Sequence, residues 1–341
     1  MGETMRSESL LRLNRLVPSN RLKFLAVLAA DMVGARHMIV RFDPIQACNL
    51  RCGMCYFSDS KWIERNPVKR FSNDEILRLA DMFFPQAIQL HIGARTEPTV
   101  YKDYTSLITL GKQYKIPFIG LTTNGQLLTR TNTRILIEAG LDEITLSVHG
   151  VKKDTYEKMM RGASFEAFHR NLETIVDVKR ELGKTNPAIR INYTVNPDNL
   201  SELYYFFDFF GSYNITTLQV RPIVDFGKTD YKNKNLVKHR EKYNWIIDFL
   251  ISQCRRRGIF LLANKDDPGY ERQNEFAVVY RVAVLRYIGP GEVWKDDFDF
   301  TSETYQEHKS RTGYRRELLR YVLKGDALLV NNTFMASSQV F

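Results

Sequence analysis

Met38-Ile39-Val40-Arg41-Phe42 is a short, nearly continuous apolar run. Past Asp43–Ala47 the chain reads Cys48-Asn49-Leu50-Arg51-Cys52-Gly53-Met54-Cys55. An apolar run of this length suits a buried strand. The loop behind it carries three of the chain's four cysteines, spaced CxxxCxxC. Thiolates are soft ligands that select zinc, copper(I) or iron–sulfur clusters. A cubane cluster takes four ligands, one per iron, and this loop supplies three. The fourth cysteine, Cys254, is far along the chain, so one iron would keep an open position, as catalytic metal sites do. The competing reading is a non-catalytic scaffold or interaction protein holding a structural zinc. Zinc knuckles normally show paired CxxC or a nearby CxxH, and neither is present.

Five further runs follow the first: Ala87–Gly93, Phe118–Thr123, Glu143–Val148, Ala188–Val195 and Thr216–Ile223. Helical patterns with recognisable ends separate them. Ser72 and Glu75 form a capping box, the pattern over Thr133–Ala139 stops at Gly140, and that over Phe165–Leu182 stops at Gly183. Regular strand–helix alternation implies βα units and a parallel sheet. Six units predict an α/β fold, a partial (β/α)6 TIM-like barrel, with working residues at the carboxyl ends of the strands. Beyond residue 236 the pattern changes. A helix over Lys238–Arg257 ends at Gly258. A hairpin of Phe276–Ile288 and Glu292–Trp294 turns around Gly289-Pro290-Gly291, and a charged helix covers Thr301–Leu323, ahead of a poorly anchored Asn331–Phe341. The expected organisation is a helical segment over 1–37, a barrel over 38–236 and a small α+β C-terminal cap over 237–341.

The 341 residues carry 49 basic and 39 acidic side chains, a net charge of +10, with 44% hydrophobic and 26% charged residues. Such a balance favours an anionic partner. No nucleic-acid-binding motif accompanies it, so no nucleic-acid partner is expected. Four cysteines without a paired framework argue against a disulfide-stapled secreted protein and for a cytoplasmic setting. Leu10–Val33 reads as one or two basic amphipathic helices. Asp31 and Arg36 interrupt it short of the ~20 apolar residues a membrane span needs. The plainer reading is a helix packed on the outside of the domain; the sharper one is peripheral membrane contact.

Polar segments recur where the apolar runs end. After the second comes Gly93-Ala94-Arg95-Thr96-Glu97-Pro98, after the third Thr122-Thr123-Asn124-Gly125, after the fourth Ser147-Val148-His149-Gly150, and beyond it Arg161-Gly162-Ala163-Ser164-Phe165. Together with CxxxCxxC after the first strand, this order resembles the signature of the radical S-adenosylmethionine (radical SAM) superfamily, over residues ~38–225. The resemblance implies an enzyme with a [4Fe-4S] cluster on Cys48, Cys52 and Cys55, whose open iron chelates S-adenosylmethionine. Reductive cleavage would give a 5′-deoxyadenosyl radical that takes hydrogen from a small-molecule or peptide substrate, with epimerisation, dehydrogenation or cross-linking in biosynthesis as outcomes. An electron donor such as flavodoxin or ferredoxin would be the redox partner. The cofactor positions it implies are Gly93 and Glu97 (its "GGEP" segment), Asn124 ("TNG"), Ser147 and His149 ("S-x-D-G"), Arg161 ("RG-x-SF") and Asn192.

The chain departs from that pattern in four places. Ala94-Arg95-Thr96 replaces the short glycine-rich link, and His149 stands where the family has Asp. Met54 precedes the third cysteine where an aromatic residue usually stacks on adenine, with Tyr56 just after; a polarizable thioether can pack on a ring. The layout is similar to the SPASM-type subgroup, but the chain lacks that subgroup's C-terminal cysteines, so one cluster is expected. Cys254 reads as a small buried hydrophobe on an apolar helix face, or, by the same resemblance, as a hydrogen-atom donor to a substrate radical.

Overall fold

A computed structural model describes residues 16–224, 229–232, 234–269 and 277–324. Its frame is one sheet of nine strands: β1 (Met38–Phe42), β2 (Ala87–Ile92), β3 (Phe118–Thr123), β4 (Glu143–Val148), β5 (Ala188–Val195), β6 (Ile215–Pro222), β7 (Phe260–Ala263), β8 (Leu285–Gly289) and β9 (Glu292–Val293). The order is β7-β6-β5-β4-β3-β2-β1-β8-β9, and every pairing is parallel except β8 with β9. The six expected strands are present and adjacent. The sheet, however, has nine strands. The C-terminal third adds one strand beside β6 and two beside β1. The sequence hides them for physical reasons: β7 has four residues, and Arg286 interrupts the apolar run of β8.

The helices between and around the strands include α1 (Asn20–Met32), α2 (Ser60–Arg65), α3 (Asn73–Phe83), α4 (Ser106–Gln113), α5 (Arg130–Glu138), α6 (Lys153–Met159), α7 (Phe165–Glu181), α8 (Phe206–Phe210), α9 (Arg240–Arg257), α10 (Tyr305–Thr312) and α11 (Tyr314–Lys324). The capping box at the head of α3 forms as read, with the Ser72 hydroxyl accepting from the Glu75 amide and the Glu75 carboxylate from the Ser72 amide. Two C-terminal expectations are corrected. The single helix over Thr301–Leu323 is two, α10 and α11, broken at Gly313 in the left-handed conformation. Of the expected long hairpin arm only Leu285–Gly289 is strand. Ala277–Val284 is helical, and Phe276 lies outside the described residues. Asn331–Phe341 also lies outside them, and α1 begins at Asn20, after the Ser19 N-cap.

Strand alternation divides the sheet into two chemically different faces. Val40, Leu90, Leu121, Ile144, Ile191 and Leu218 point to the helices and join one buried cluster with Leu79, Ile108, Leu172 and Leu250. Each such side chain contributes ~1.5–3 kcal/mol by leaving water. The concave face is polar. Register sets Arg41 beside His91, His91 beside Gly120, Thr145 beside Arg190, Asn192 beside Gln219 and Thr194 beside Arg221. The apolar shell thus stabilises a barrel whose lumen is built for a polar guest.

Candidate functional site

The cysteine loop lies over the carboxyl ends of the strands and is tied to the second and third strand-end segments and to the turn between α6 and α7. The Glu97 amide donates to the Ala47 carbonyl at 3.0 Å. The Asn124 side-chain amide donates to Asn49 Oδ1 at 2.8 Å. From the cysteine loop itself, the amides of Arg51 and Gly53 donate to the carbonyls of Arg161 and Met159 at 2.9 and 3.0 Å. Within the loop the Leu50 amide points to the Cys48 sulfur at 3.4 Å. All three sulfurs are half-buried and free of disulfides. Burial pushes the Cys48 thiol up to about 11 and raises Cys55; Cys52 rises through burial first and then through the charges of Cys55 and Cys48. The three sulfurs therefore sense one another, and metal binding would have to displace their protons.

This donor set fits an iron–sulfur cluster: three soft thiolates on one loop, close enough to interact. Among the described residues no three His, Cys, Asp or Glu side chains stand as a donor set for a single ion. A cluster needs no such convergence, since each thiolate binds its own iron.

The second segment turns on Gly93. Its φ is +84°, and a Cβ there would lie 2.2 Å from the Thr122 carbonyl oxygen. The Ala94-Arg95-Thr96 departure is held by Asp43, whose fully buried carboxylate accepts from the Ala94 amide at 2.7 Å and the Arg95 amide at 3.0 Å. Burial raises the Asp43 pKa, opposed by those bonds. Glu97 is almost wholly inside the protein. One carboxylate oxygen accepts from the Thr99 amide, the Thr99 hydroxyl (2.6 Å) and the Thr123 hydroxyl (2.7 Å), and the other from the Asn124 amide (2.7 Å). Its role within the described residues is to lock the second segment to the third.

The remaining expected positions divide. Tyr56 donates its hydroxyl to the Arg95 carbonyl at 2.7 Å and stands beside the cysteine loop. Met54 is packed with Met159, Ile223 and Tyr231. The Arg161 guanidinium donates to the Arg51 carbonyl at 2.9 Å and pairs with Asp230 at 3.0 Å. Ser147 and Asn192 are register partners, and the buried Asn192 Oδ1 has no hydrogen-bond partner among the described residues. His149 accepts from the Thr194 amide at Nδ1 over 3.2 Å. Desolvation first, then Arg221, lowers its pKa to about 4, so its ring is neutral. Cys254 is not with them. It is buried in the core on the helix side of the sheet, beside a cavity lined by Ile247, Ile251 and Leu261.

Sequence reading missed the lumen floor. Arg190 lies 3.4 Å from Glu143 and 2.7 Å from Gln219. His91 Nε2 bonds Gln89 at 2.9 Å, and burial, Arg41 and Arg190 lower its pKa to about 3. The available signal was period two, which puts 41, 91 and 190 on the face opposite the apolar positions. Together the lumen-facing strand positions hold Arg41, Arg190 and Arg221 against Glu143.

Residues 43–205 match the profile of the Radical SAM superfamily. Among curated proteins the chain is similar to the molybdenum cofactor biosynthesis protein moc-5 of Caenorhabditis elegans, at 28% identity over 222 residues, 64% of this chain and 35% of that protein. It is also similar to the probable GTP 3′,8-cyclase of Saccharolobus solfataricus, at 26% identity over 210 residues, 60% of this chain and 63% of that one. The chain thus spans about a third of the first relative's length and under two thirds of the second's. Two solved structures share the fold. Native anSMEcpe with bound AdoMet and Cp18Cys peptide has a TM-score of 0.60 at 15% identity, covering 84% of this chain and 83% of that one. SuiB of Streptococcus suis bound to precursor peptide SuiA has a TM-score of 0.59 at 17% identity, covering 80% and 64%. At these identities the likeness is one of fold.

Proposed function

We infer, residues 43–205 being a radical SAM domain, that this chain is an enzyme whose Cys48, Cys52 and Cys55 hold a [4Fe-4S] cluster at the mouth of the barrel. The observation that carries the reading is the convergence of two strand-end segments and the α6–α7 turn on the loop that bears those cysteines. When bound, the cluster and S-adenosylmethionine supply a 5′-deoxyadenosyl radical that abstracts hydrogen. The protein's share is binding and orientation. Gly93 lets the backbone of the second segment approach the third closely, and Glu97 fixes both. Ser147, neutral His149 and Asn192 line the wall below, and Asn192 Oδ1, which has no hydrogen-bond partner among the described residues, offers an acceptor to a donor group on the cofactor or substrate. Arg161 acts through the cysteine loop it grips. Electrons would come from an external one-electron donor such as flavodoxin or ferredoxin.

For the substrate, the lumen favours an anionic small molecule. Guanidiniums in a concave wall can grip phosphate or carboxylate groups bidentately, and the chain's net charge of +10 favours an anionic partner. The GTP 3′,8-cyclase relatives make a nucleoside triphosphate the first compound to test. Cys254, behind the sheet, has no route to a radical in the lumen and is proposed as core.

Anaerobic reconstitution with iron and sulfide, then dithionite and S-adenosylmethionine, tests the class. A brown protein that releases 5′-deoxyadenosine, with release abolished in Cys52→Ala, is expected. A colourless protein carrying zinc, or a cluster that never cleaves the cofactor, refutes it. Adding GTP should then consume the nucleotide or raise cofactor cleavage; indifference to GTP and other phosphate esters removes the substrate reading alone.

A further inference from the structure

We propose that the outer face of α1 and α11 is a docking surface for an anionic membrane. The two helices pack antiparallel. Phe24 stacks on Tyr321 with ring centroids 4.6 Å apart, while at the other end Arg315 pairs with Asp31 at 2.8 Å. Val27, Leu28 and Leu318 are buried in the same cluster. The inner halves of both helices are therefore fully used.

The outer half of α1 is apolar too. Leu22, Leu25, Met32 and Val33 project outward, with only Ala26 and Ala29 between them, and α11 adds Leu319 and Leu323. These six leucine, methionine and valine side chains are 44–79% exposed. An exposed apolar strip rimmed by basic residues is the pattern of a helix that lies against lipid. Among the described residues no helix is long and apolar enough to cross a membrane, so the geometry is that of a helix lying in the interface.

Charge selects the occupant. Arg316, Arg320 and Lys324 recur every four residues along the exposed side of α11, and Arg21 heads α1. The single carboxylate of α11, Glu317, stands 3.6 Å from Lys295, and the single carboxylate of α1, Asp31, is buried between Lys309 and Arg315. Anionic headgroups would meet this cation row while acyl chains meet the leucines. A second copy docked across a twofold axis would set like charges against each other.

Vesicle flotation of the full chain tests this. About tenfold more protein should float with phosphatidylcholine vesicles containing about a third phosphatidylglycerol than with phosphatidylcholine alone. Raising salt from about 0.1 to about 0.5 M should release most of it. Leu25→Ser/Met32→Ser and Arg316→Gln/Arg320→Gln should each cut flotation about fivefold or more with an unchanged unfolding midpoint. Equal flotation with both lipids, or flotation indifferent to both variants, overturns the proposal. So does a doubling of the solution mass that Leu25→Ser/Met32→Ser abolishes, which assigns the face to a second copy.

Discussion

Tyr287, on β8, donates its hydroxyl to the carboxylate of Asp43, at the end of β1, over 2.9 Å. The same carboxylate holds the amides of Ala94 and Arg95, and the Arg95 guanidinium lies 3.8 Å from the Tyr287 ring centroid. A strand from the last sixth of the chain therefore completes the wall on which the glycine-rich turn rests. Tyr287→Phe keeps the ring and removes one donor from a buried carboxylate. The expected loss is about 1.5–3 kcal/mol in urea unfolding. KM for S-adenosylmethionine should rise more than kcat falls, since the change acts on the turn's position; full stability with unaltered kinetics would show that Asp43 is satisfied without Tyr287.

Gly93 and Gly183 separate strain from collision. Both have positive φ, +84° and +59°, but a Cβ at Gly183 meets nothing within 4 Å whereas one at Gly93 runs into the Thr122 carbonyl and the Pro98 ring. Gly183→Ala should cost about 1 kcal/mol, the price of the left-handed backbone. Gly93→Ala should cost about 3 kcal/mol or more and abolish cofactor cleavage. Equal unfolding midpoints for the two variants would mean that the turn relaxes freely.

What the residues disclosed follows the range of the interactions involved. The capping box at Ser72, the stop at Gly258 and the six central strands are local patterns, and each was readable. The polar segments behind β1, β2, β3 and β4 could be assigned to strand ends because each of those apolar runs ended shortly before one. The lumen arginines were readable in principle from period two, but Arg41 and Arg190 look like interruptions of apolar runs until register shows them on the same face of the sheet. Tyr287 on Asp43 joins residues 244 apart in sequence, and no local pattern announces such a contact. Gly313 illustrates the opposite failure. A charged helical pattern runs straight through it, and only the left-handed φ of +66° reveals two helices.

Asp31 is the anchor between the N-terminal helix and the C-terminal pair, with Lys309 and Arg315 on its two carboxylate oxygens. Asp31 and Lys309 are both buried. Asp31→Ala leaves the Lys309 ammonium inside without a counter-charge, and should cost about 3–5 kcal/mol. Replacing both partners, Asp31→Leu with Lys309→Met, should recover most of that, because it removes the stranded charge together with its partner. Equilibrium urea unfolding of the single and double variants decides; a double variant as unstable as the single one would place the cost in packing.

His149 makes stability depend on pH in a direction set by its environment. Burial and Arg221 lower its pKa to about 4, against about 6.5 in an unfolded chain. Above pH 6.5 the ring is neutral in both states and contributes no pH dependence. Between 6.5 and 4 the unfolded chain takes up a proton that the folded protein refuses, so stability is lost as pH falls through that window. The shift corresponds to about 3 kcal/mol. The wall residues that face the ring, Thr194 and Arg221, do not titrate there, so the effect can be assigned by substitution. His149→Asn keeps an acceptor for the Thr194 amide and cannot be protonated. Urea unfolding at pH 7.0 and pH 4.5 should show the wild-type protein losing a few kcal/mol more than the variant. Parallel losses would mean that the imidazole is protonated in the folded state, and that the neutral acceptor assigned to this position in the lumen wall is the wrong species.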